Sequence, residues 1–567
     1  MKYCLLVVAL IGACHAQPVR ASIERALPRL QSSAAKFVEQ RACFSCHHNA
    51  LPIWALRLAD ERGFQVDVNA LTAVESKTFH ELSGPGAIDT AVQASNLNDP
   101  APNETFLLMA AESARLPRDL TKAVYAARLI NWQRDGHWVT SDFRPPHSAS
   151  TFMATASAVR AIAAYAPDEL KQQQAECFAR AREWLAKNKP ESTEDAAFRL
   201  LGLVWTNAEA PQIEAASRDL LALQKPGSGW RQSSNYQPDA YATGEAIYAL
   251  RVAGKDAPLS AIKFLTSSQA EDGTWHVHTR MLSPADVSPR YFTTGFPYAK
   301  DEYISYAGSV WAVMGLLSTL PKTSPTLPAS ASTTPEPPAW IRTALWGTQA
   351  ELDKLDPTLK TDKGTTLMMA AATDVAKVKS LRARGADTTG ALAVAAAYRG
   401  TADSIQELAA GADLNPKRKP PIAIAVKTGD IATVKTLLAN GAQPAPALGD
   451  AITFGYADIV ELLLRAGASP TLTQGDGVNL LHWAAITGRT DVIPVLAKAG
   501  TKINALDDQG YTPLMYAATI DFGDTKTLDA LLKAGADPRI KNDDKRTPYQ
   551  QAARLHLKHL AAHLQTR

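Results

Sequence analysis

Cysteine is scarce in this chain: five in 567 residues, at positions 4, 14, 43, 46 and 177. So few, with only one close pair beyond the first sixteen residues, exclude a disulfide framework. Charge of one sign is missing too. Lys and Arg number 59 against 56 Asp and Glu, a net charge of +3, and without concentrated positive charge no nucleic-acid partner is expected. Beyond the first sixteen residues no apolar run is long enough to span a bilayer, which excludes a bundle of membrane helices. Also absent are a His-Glu-x-x-His helix, a Gly-x-Ser-x-Gly elbow and a phosphate-cradling glycine loop, so the common hydrolase and nucleotide signatures are excluded. What is there is globular, 46% hydrophobic and 20% charged. The length exceeds one core and predicts several domains, fewer if some are repeat arrays.

The first sixteen residues, MKYCLLVVALIGACHA, place one Lys before an apolar stretch and then small residues. That is the layout of a secretory signal. Two processing readings compete. Cys14-His15-Ala16 directs cleavage before Gln17, whereas Ile11-Gly12-Ala13-Cys14 resembles a lipobox in which Cys14 carries a lipid anchor. Both predict an exported, periplasmic chain with no transmembrane helix after processing.

Residues 20–320 read as almost wholly helical, with apolar residues three and four apart in stretches such as Ala154–Tyr165 and Gly244–Val252. Short punctuators such as Asp135-Gly136 and Asp272-Gly273 separate them. Residues 321–339, rich in Pro, Ser and Thr, cannot bury a core and read as an extended linker. From 340 to 567 a repeat appears. Gly-Ala doublets at Gly385, Gly411, Gly441, Gly467 and Gly535, with Gly500-Thr501 in the remaining place, recur every 26 to 35 residues. Each follows a helical stretch such as Ile459–Arg465, and the glycine supplies the left-handed turn that ends it. Asn479-Leu480-Leu481-His482-Trp483-Ala484 and Thr512-Pro513-Leu514-Met515-Tyr516-Ala517 resemble the Thr-Pro-Leu-His-x-Ala opening of ankyrin repeats. The resemblance covers the last 220 or so residues, implies six or seven units, and implies a surface for a protein partner.

Cys43-Phe44-Ser45-Cys46-His47 is the attachment pattern of a covalent c-type haem. Two thiols separated by two residues reach both vinyl groups of one porphyrin, and the next residue points an imidazole at the iron. Cys43 and Cys46 are therefore the expected attachment sites of one covalent haem c, and His47 its proximal ligand. A redox dithiol would sit in a βαβ unit, and a structural zinc site would need a second ligand pair that the chain lacks. The continuation His48-Asn49-Ala50-Leu51-Pro52 carries neither the glycine nor the methionine loop of a class I cytochrome c. The second axial ligand stays open among His80, Met109, His137 and His147, with a five-coordinate or water-bound iron as the other alternative. Cys177 reads as a small buried apolar residue.

Three Gln-to-Trp segments recur, Gln133–Trp138, Gln224–Trp230 and Gln269–Trp275, the last two 45 residues apart, with Glu183-Trp184-Leu185 as a degenerate copy. They resemble the QW repeat of squalene-hopene cyclases, which share an α/α toroid with the β-subunits of protein prenyltransferases. The resemblance implies concentric inner and outer helices over residues 100–320. It does not carry the chemistry across: there is no Asp-x-Asp-Asp cluster, and Asp239-Ala240-Tyr241 has alanine where the zinc-binding cysteine would stand. Asp239 is expected to cap a helix or hold Tyr241 instead. His276, His278 and Met281 could line the toroid mouth. The combination also resembles a group of exported proteins of environmental bacteria, which implies architecture and haem without a reaction.

The expectation is an all-α chain: a signal peptide over 1–16, a haem-attachment segment over 17–99, an α/α toroid over 100–320, a linker over 321–339 and ankyrin repeats over 340–567. Its expected role is electron transfer or redox sensing outside the cytoplasm, with a redox partner and an ankyrin-bound protein partner. Two alternatives stand beside it: haem-assisted oxidation of an apolar, isoprenoid-like ligand inside the toroid, and a plain interaction scaffold.

Overall fold

The computed structural model of the chain describes residues 2–41, 44–95, 99–282, 294–330 and 335–566, with backbone alone for 2–16 and for 100. Cys43 lies outside the described residues, as do the Cys14 side chain and residues 331–334 of the linker. The chain is all-α: among the described residues there are helices and isolated bridges and no strand. No described helix is long and apolar enough to cross a membrane.

The first part consists of α1 (Lys2–Gln40), α2 (Leu51–Asp60), α3 (Val68–Thr78), α4 (Ala87–Val92), α5 (Pro100–Ser113), α6 (Leu120–Trp132) and α7 (Thr151–Tyr165). It continues with α8 (Lys171–Lys187), α9 (Thr193–Trp205), α10 (Ala210–Ala222), α11 (Ala240–Val252), α12 (Leu259–Ser268) and α13 (Glu302–Ser318). Helices α2, α5, α7, α9, α11 and α13 touch one another in that order, and α13 returns to α2, closing a cycle. Burial follows from this placement. Every residue of α13 from Glu302 to Leu317 is buried, as a helix enclosed on all sides requires. Outer α8 buries only Cys177, Ala181 and Leu185, a single stripe at i, i+4 and i+8. Because α2 belongs to the cycle and α1 packs on α13, α12 and α3, the segment 17–99 is packed into the same body as 100–320.

Local chemistry sets where the inner helices start. Ser150 Oγ accepts from the backbone N–H groups of Phe152 and Met153, Ser192 and Asp195 form a capping box, and Asp239 Oδ1 accepts from Ala242 N, so Asp239 does cap its helix. The Gln-to-Trp segments join outer helices to their neighbours. Trp138, Trp230 and Trp275 each donate from Nε1 to a carbonyl near the end of the preceding outer helix, at 2.8, 2.7 and 2.9 Å. The glutamines reach onward: Gln133 to Cys177 O in α8, Gln224 to Ser260 Oγ in α12, and Gln269 to Ser22 O in α1. That last bond ties the end of the cycle to its beginning. Gly273 is required there, since a Cβ on it would lie 2.3 Å from Arg25 O. Trp184 plays no such part; it lies within α8 and stacks on His137.

The linker runs against the ring. Thr326 donates to Asp60 Oδ1, Arg57 Nη1 donates to Pro328 O at 2.6 Å, and Ser330 N donates to Ala114 O. Beyond it, helix pairs repeat from Leu367 to Gln565. Thr512 and Thr547 cap their helices just before Pro513 and Pro548, and His482 bridges units through Nε2 to Tyr511 O at 3.0 Å. The turns between the paired helices dock on the ring. Trp132 Nε1 donates to Ala397 O, Arg489 Nη2 to Thr140 O, Arg280 Nε to Asp521 O and Lys526 Nζ to Glu191. The loops contacted at 140, 191 and 280 lead into α7, α9 and α13, so the repeats lie over the end of the ring where inner helices begin.

Candidate functional site

Cys46 opens a π-helical turn, Cys46–Ala50, whose N-cap Ser45 accepts from His48 N. The turn leads into α2 and contacts α1, α2, α5 and α13, which brings Cys46, His47 and His48 to the mouth of the ring, all buried. Cys46 Sγ lies 3.0 Å from His147 Nε2 and 3.3 Å from Ser148 Oγ. His147 Nδ1 lies 3.1 Å from the Tyr241 hydroxyl. In the tautomer where Tyr241 donates to Nδ1, His147 donates from Nε2 to the sulfur; in the other, His147 donates to the Tyr241 hydroxyl and the thiol donates to Nε2. His47 Nδ1 and His48 Nδ1 share a hydrogen bond. The His48 ring stacks between Tyr306 at 4.0 Å and Phe37 at 4.8 Å.

Burial governs the charges here. It pushes the Cys46 thiol up to about 11, helped by the negative charge of Asp142. It holds the His47 imidazole well below its ordinary value, with His48 and His147 adding to the effect. His48 is lowered to about 3 by burial and then by His147, and His147 to about 4 by burial against the pull of Asp142. All three imidazoles are therefore neutral at pH 7, and the neutral ring is the form that ligates a metal. A thiol raised this far is a poor nucleophile.

Of the four candidates for a second axial ligand, His147 is the one brought against the motif, its ring centroid 6.0 Å from that of His47. His80 is exposed on the turn after α3. His137 stacks on Trp184 at 4.9 Å, on the outer layer. Met109 is buried in α5 and lines a cavity of about 480 Å³ at the opposite end of the ring. That cavity has an aromatic wall of Trp54, Trp205 and Tyr248 but an arginine rim that includes Arg62, Arg160 and Arg251. Between it and Cys46 the ring is filled by Trp311, which contacts Trp54, Phe198, Tyr241 and Tyr248. Cys177 is fully buried, its thiol raised to about 12 by burial.

Sequence reasoning gave Tyr241, Ser148 and Tyr306, which complete the site, no place beside Cys46 and His48, and it passed over a pair of acids inside the ring. Glu194 is buried in the first turn of α9 and Glu245 in the middle of α11, and neither oxygen of Glu245 accepts a hydrogen bond among the described residues. Burial first, then neighbouring acidic charge, raises both well above the carboxylate range. A raised carboxyl keeps its proton in the folded chain at a pH where the unfolded chain releases it. Its stabilising contribution is full at low pH and fades as pH rises through the raised value. Each pH unit by which the titration is displaced costs the fold about 1.4 kcal/mol at high pH. Glu245→Gln should therefore flatten the fall in thermal midpoint as pH rises above the ordinary carboxylate range. Parallel melting curves for the two chains over that rise would refute it.

Residues 448–542 match the family model for ankyrin repeats, in three copies. Two curated relatives are similar to part of this chain. The ankyrin repeat-containing protein P1E11.10 of Schizosaccharomyces pombe is 34% identical over 76 residues, 13% of this chain and 36% of the relative. An ankyrin repeat protein of Acanthamoeba polyphaga mimivirus, L289, is 42% identical over 59 residues, 10% of this chain and 11% of the relative. The chain thus spans about a third of the first relative and a tenth of the second.

Proposed function

We propose that this is an exported c-type haem protein, with one haem c held covalently by Cys43 and Cys46 and its iron on His47, and with the ankyrin half serving a protein partner. One observation carries the reading: Cys46 and His47 occupy the same buried turn at the mouth of a helical ring, the sulfur placed to accept from His147 Nε2 and the His47 imidazole held through Nδ1. Both roles suit the group. A thioether sulfur can only accept, and a histidine whose Nδ1 is engaged by a neighbour presents Nε2 to iron. The rings of Phe37, His48, His147 and Tyr303 stand 4.6–6.1 Å from that of His47, so seating a macrocycle requires part of this wall to turn aside.

Bound there, a haem supplies a reversible one-electron couple. The protein's own contribution is to exclude water with Phe37, Tyr303 and Tyr306, to orient His47 through His48, and to hold Cys46 through the Tyr241–His147 pair. The cyclic order of the inner helices and the Gln-to-Trp bonds support reading the ring as an α/α toroid of the cyclase type, used here as a housing. The signal-like first sixteen residues support export, which is where covalent haem attachment takes place in bacteria. The far cavity is rimmed by arginines and Trp311 packs against its aromatic wall, an arrangement that does not favour an apolar isoprenoid-like ligand.

The test is the visible spectrum of the full chain made with haem-maturation machinery, oxidised and then reduced, followed by acid–solvent extraction. A reducible c-type spectrum that stays with the protein after extraction is expected, and Cys43→Ser with Cys46→Ser should abolish it. A colourless matured protein would overturn the reading.

A further inference from the structure

A second cluster of potential ligands lies on the same end of the ring, at the cleft beneath the repeats. The segment from Trp275 to Thr279 is extended, so alternate side chains share a face. Trp275, Val277 and Thr279 turn inward and are buried, while His276 and His278 turn out together, their rings 4.3 Å apart. The segment is fastened to α13: Ser309 Oγ accepts from Trp275 N, and Ser305 Oγ bonds both Val277 N and Val277 O at 3.0 Å.

Opposite the two imidazoles stands Asp301, the residue before α13. An aspartate there ordinarily turns its carboxylate onto the free N–H groups of its own helix, but Asp301 makes no such bond. Its Oδ1 accepts from Thr279 N at 2.9 Å. Its Oδ2 faces His276 Nε2 at 2.9 Å and His278 Nδ1 at 3.1 Å. The three ligand atoms lie within 4.8 Å of one another. Asp301 is only 6% exposed, and its ion-pair partners among the described residues are these two imidazoles. A buried carboxylate is costly unless it is paired or hydrogen-bonded, and among the described residues neither Lys nor Arg is paired with Asp301.

The surroundings are built to hold the ligands in place. Tyr298 stacks on His276 at 4.4 Å and 5°, and its hydroxyl bonds Thr274 Oγ1 at 2.8 Å. Thr279 N fixes the carboxylate from behind. Outer partners of this kind are what orient metal ligands. His276 and His278 also line a cleft of about 690 Å³ between ring and repeats, shared with Tyr236, Asp521 and His559.

We propose that His276 Nε2, His278 Nδ1 and Asp301 Oδ2 bind a divalent transition metal of the zinc class, whose remaining coordination position opens into this cleft. Two imidazoles and one carboxylate with an open position are a ligand set of catalytic rather than structural zinc sites. A water or a ligand oxygen would occupy that position.

The test compares the full chain with its H276Q/H278Q variant after dialysis against Zn²⁺ and removal of loosely held metal. The double variant is expected to retain one zinc fewer per chain, and Zn²⁺ is expected to raise the thermal midpoint of the natural chain alone. Both imidazoles are accessible, 41% and 76% exposed, so the variant should keep its fold. Asp301→Asn should lose the same single equivalent. Equal zinc content in the natural and double-variant chains would overturn the assignment. Because the two chains are compared, metal held at Cys43, Cys46 or His47 cancels, and the result stands apart from the haem reading.

Discussion

Gly244→Ala is expected to cost the ring more than about 3 kcal/mol, beyond the usual range for overpacking a core. A Cβ at Gly244 would lie 2.3 Å from the carbonyl carbon and oxygen of Trp311 and 2.4 Å from Ala312 N. These are backbone atoms, so no side chain can rotate away. Across the contact Gly315 also lacks room, since a Cβ added there would lie 2.6 Å from Gly244 O. Helices α11 and α13 meet through these glycines, and moving them apart opens the cycle at its most intimate contact. A domain is stable by only about 5–15 kcal/mol, so the variant should show an early first unfolding transition in urea. Gly449→Ala, where an added Cβ meets nothing within 4 Å, is the matched control and should be neutral or slightly stabilising. An unchanged first transition for Gly244→Ala would mean that the two helices are not packed this closely.

Glu75→Ala is expected to be nearly as damaging, for an electrostatic reason. Arg57 and Glu75 form a two-bonded pair, Nε to Oε1 and Nη2 to Oε2 both at 2.7 Å, with side chains 5% and 6% exposed. Removing the carboxylate leaves a buried guanidinium uncompensated, a loss of about 3–5 kcal/mol. The same arginine holds the linker through Pro328 O, so the strap should loosen with it. Limited proteolysis across residues 321–330 should become faster in Glu75→Ala. Because a buried ion pair replaced whole by apolar residues is often neutral, Arg57→Met with Glu75→Leu should recover much of the stability while the strap remains loose. If the single variant melts with the natural chain, the pair contributes nothing net.

Much of the architecture was legible because it is written in local, periodic terms. The Gly-Ala doublets and the Thr512-Pro513-Leu514 opening mark the repeats one unit at a time, and the family match over 448–542 rests on the same local pattern. The Gln-to-Trp segments were legible for the same reason, since each closes a turn within a few residues of itself. What could not be read was partnership across long separations. Nothing in the order of residues says that His147 meets Cys46, 101 positions away, or that Gln269 bonds Ser22, 247 positions away. The linker was legible as extended chain but not as bound chain, because its composition predicts stiffness and is silent about Asp60 and Arg57. His276 and His278 were visible as an alternating pair, yet Asp301, which makes them converge, sits 23 and 25 residues further on and carries no local mark.

The docking of the repeats on the loops before α7, α9 and α13 bears on the order in which the molecule is assembled. A chain made from its N-terminus completes the ring before the segment that roofs it exists. Until Arg489 and Asp521 have been synthesised and have found Thr140 and Arg280, the loops before α7 and α13 lack the partners that the repeats supply. A version of the protein whose repeats were moved ahead of the ring would therefore reverse the order in which the two surfaces of that contact become available.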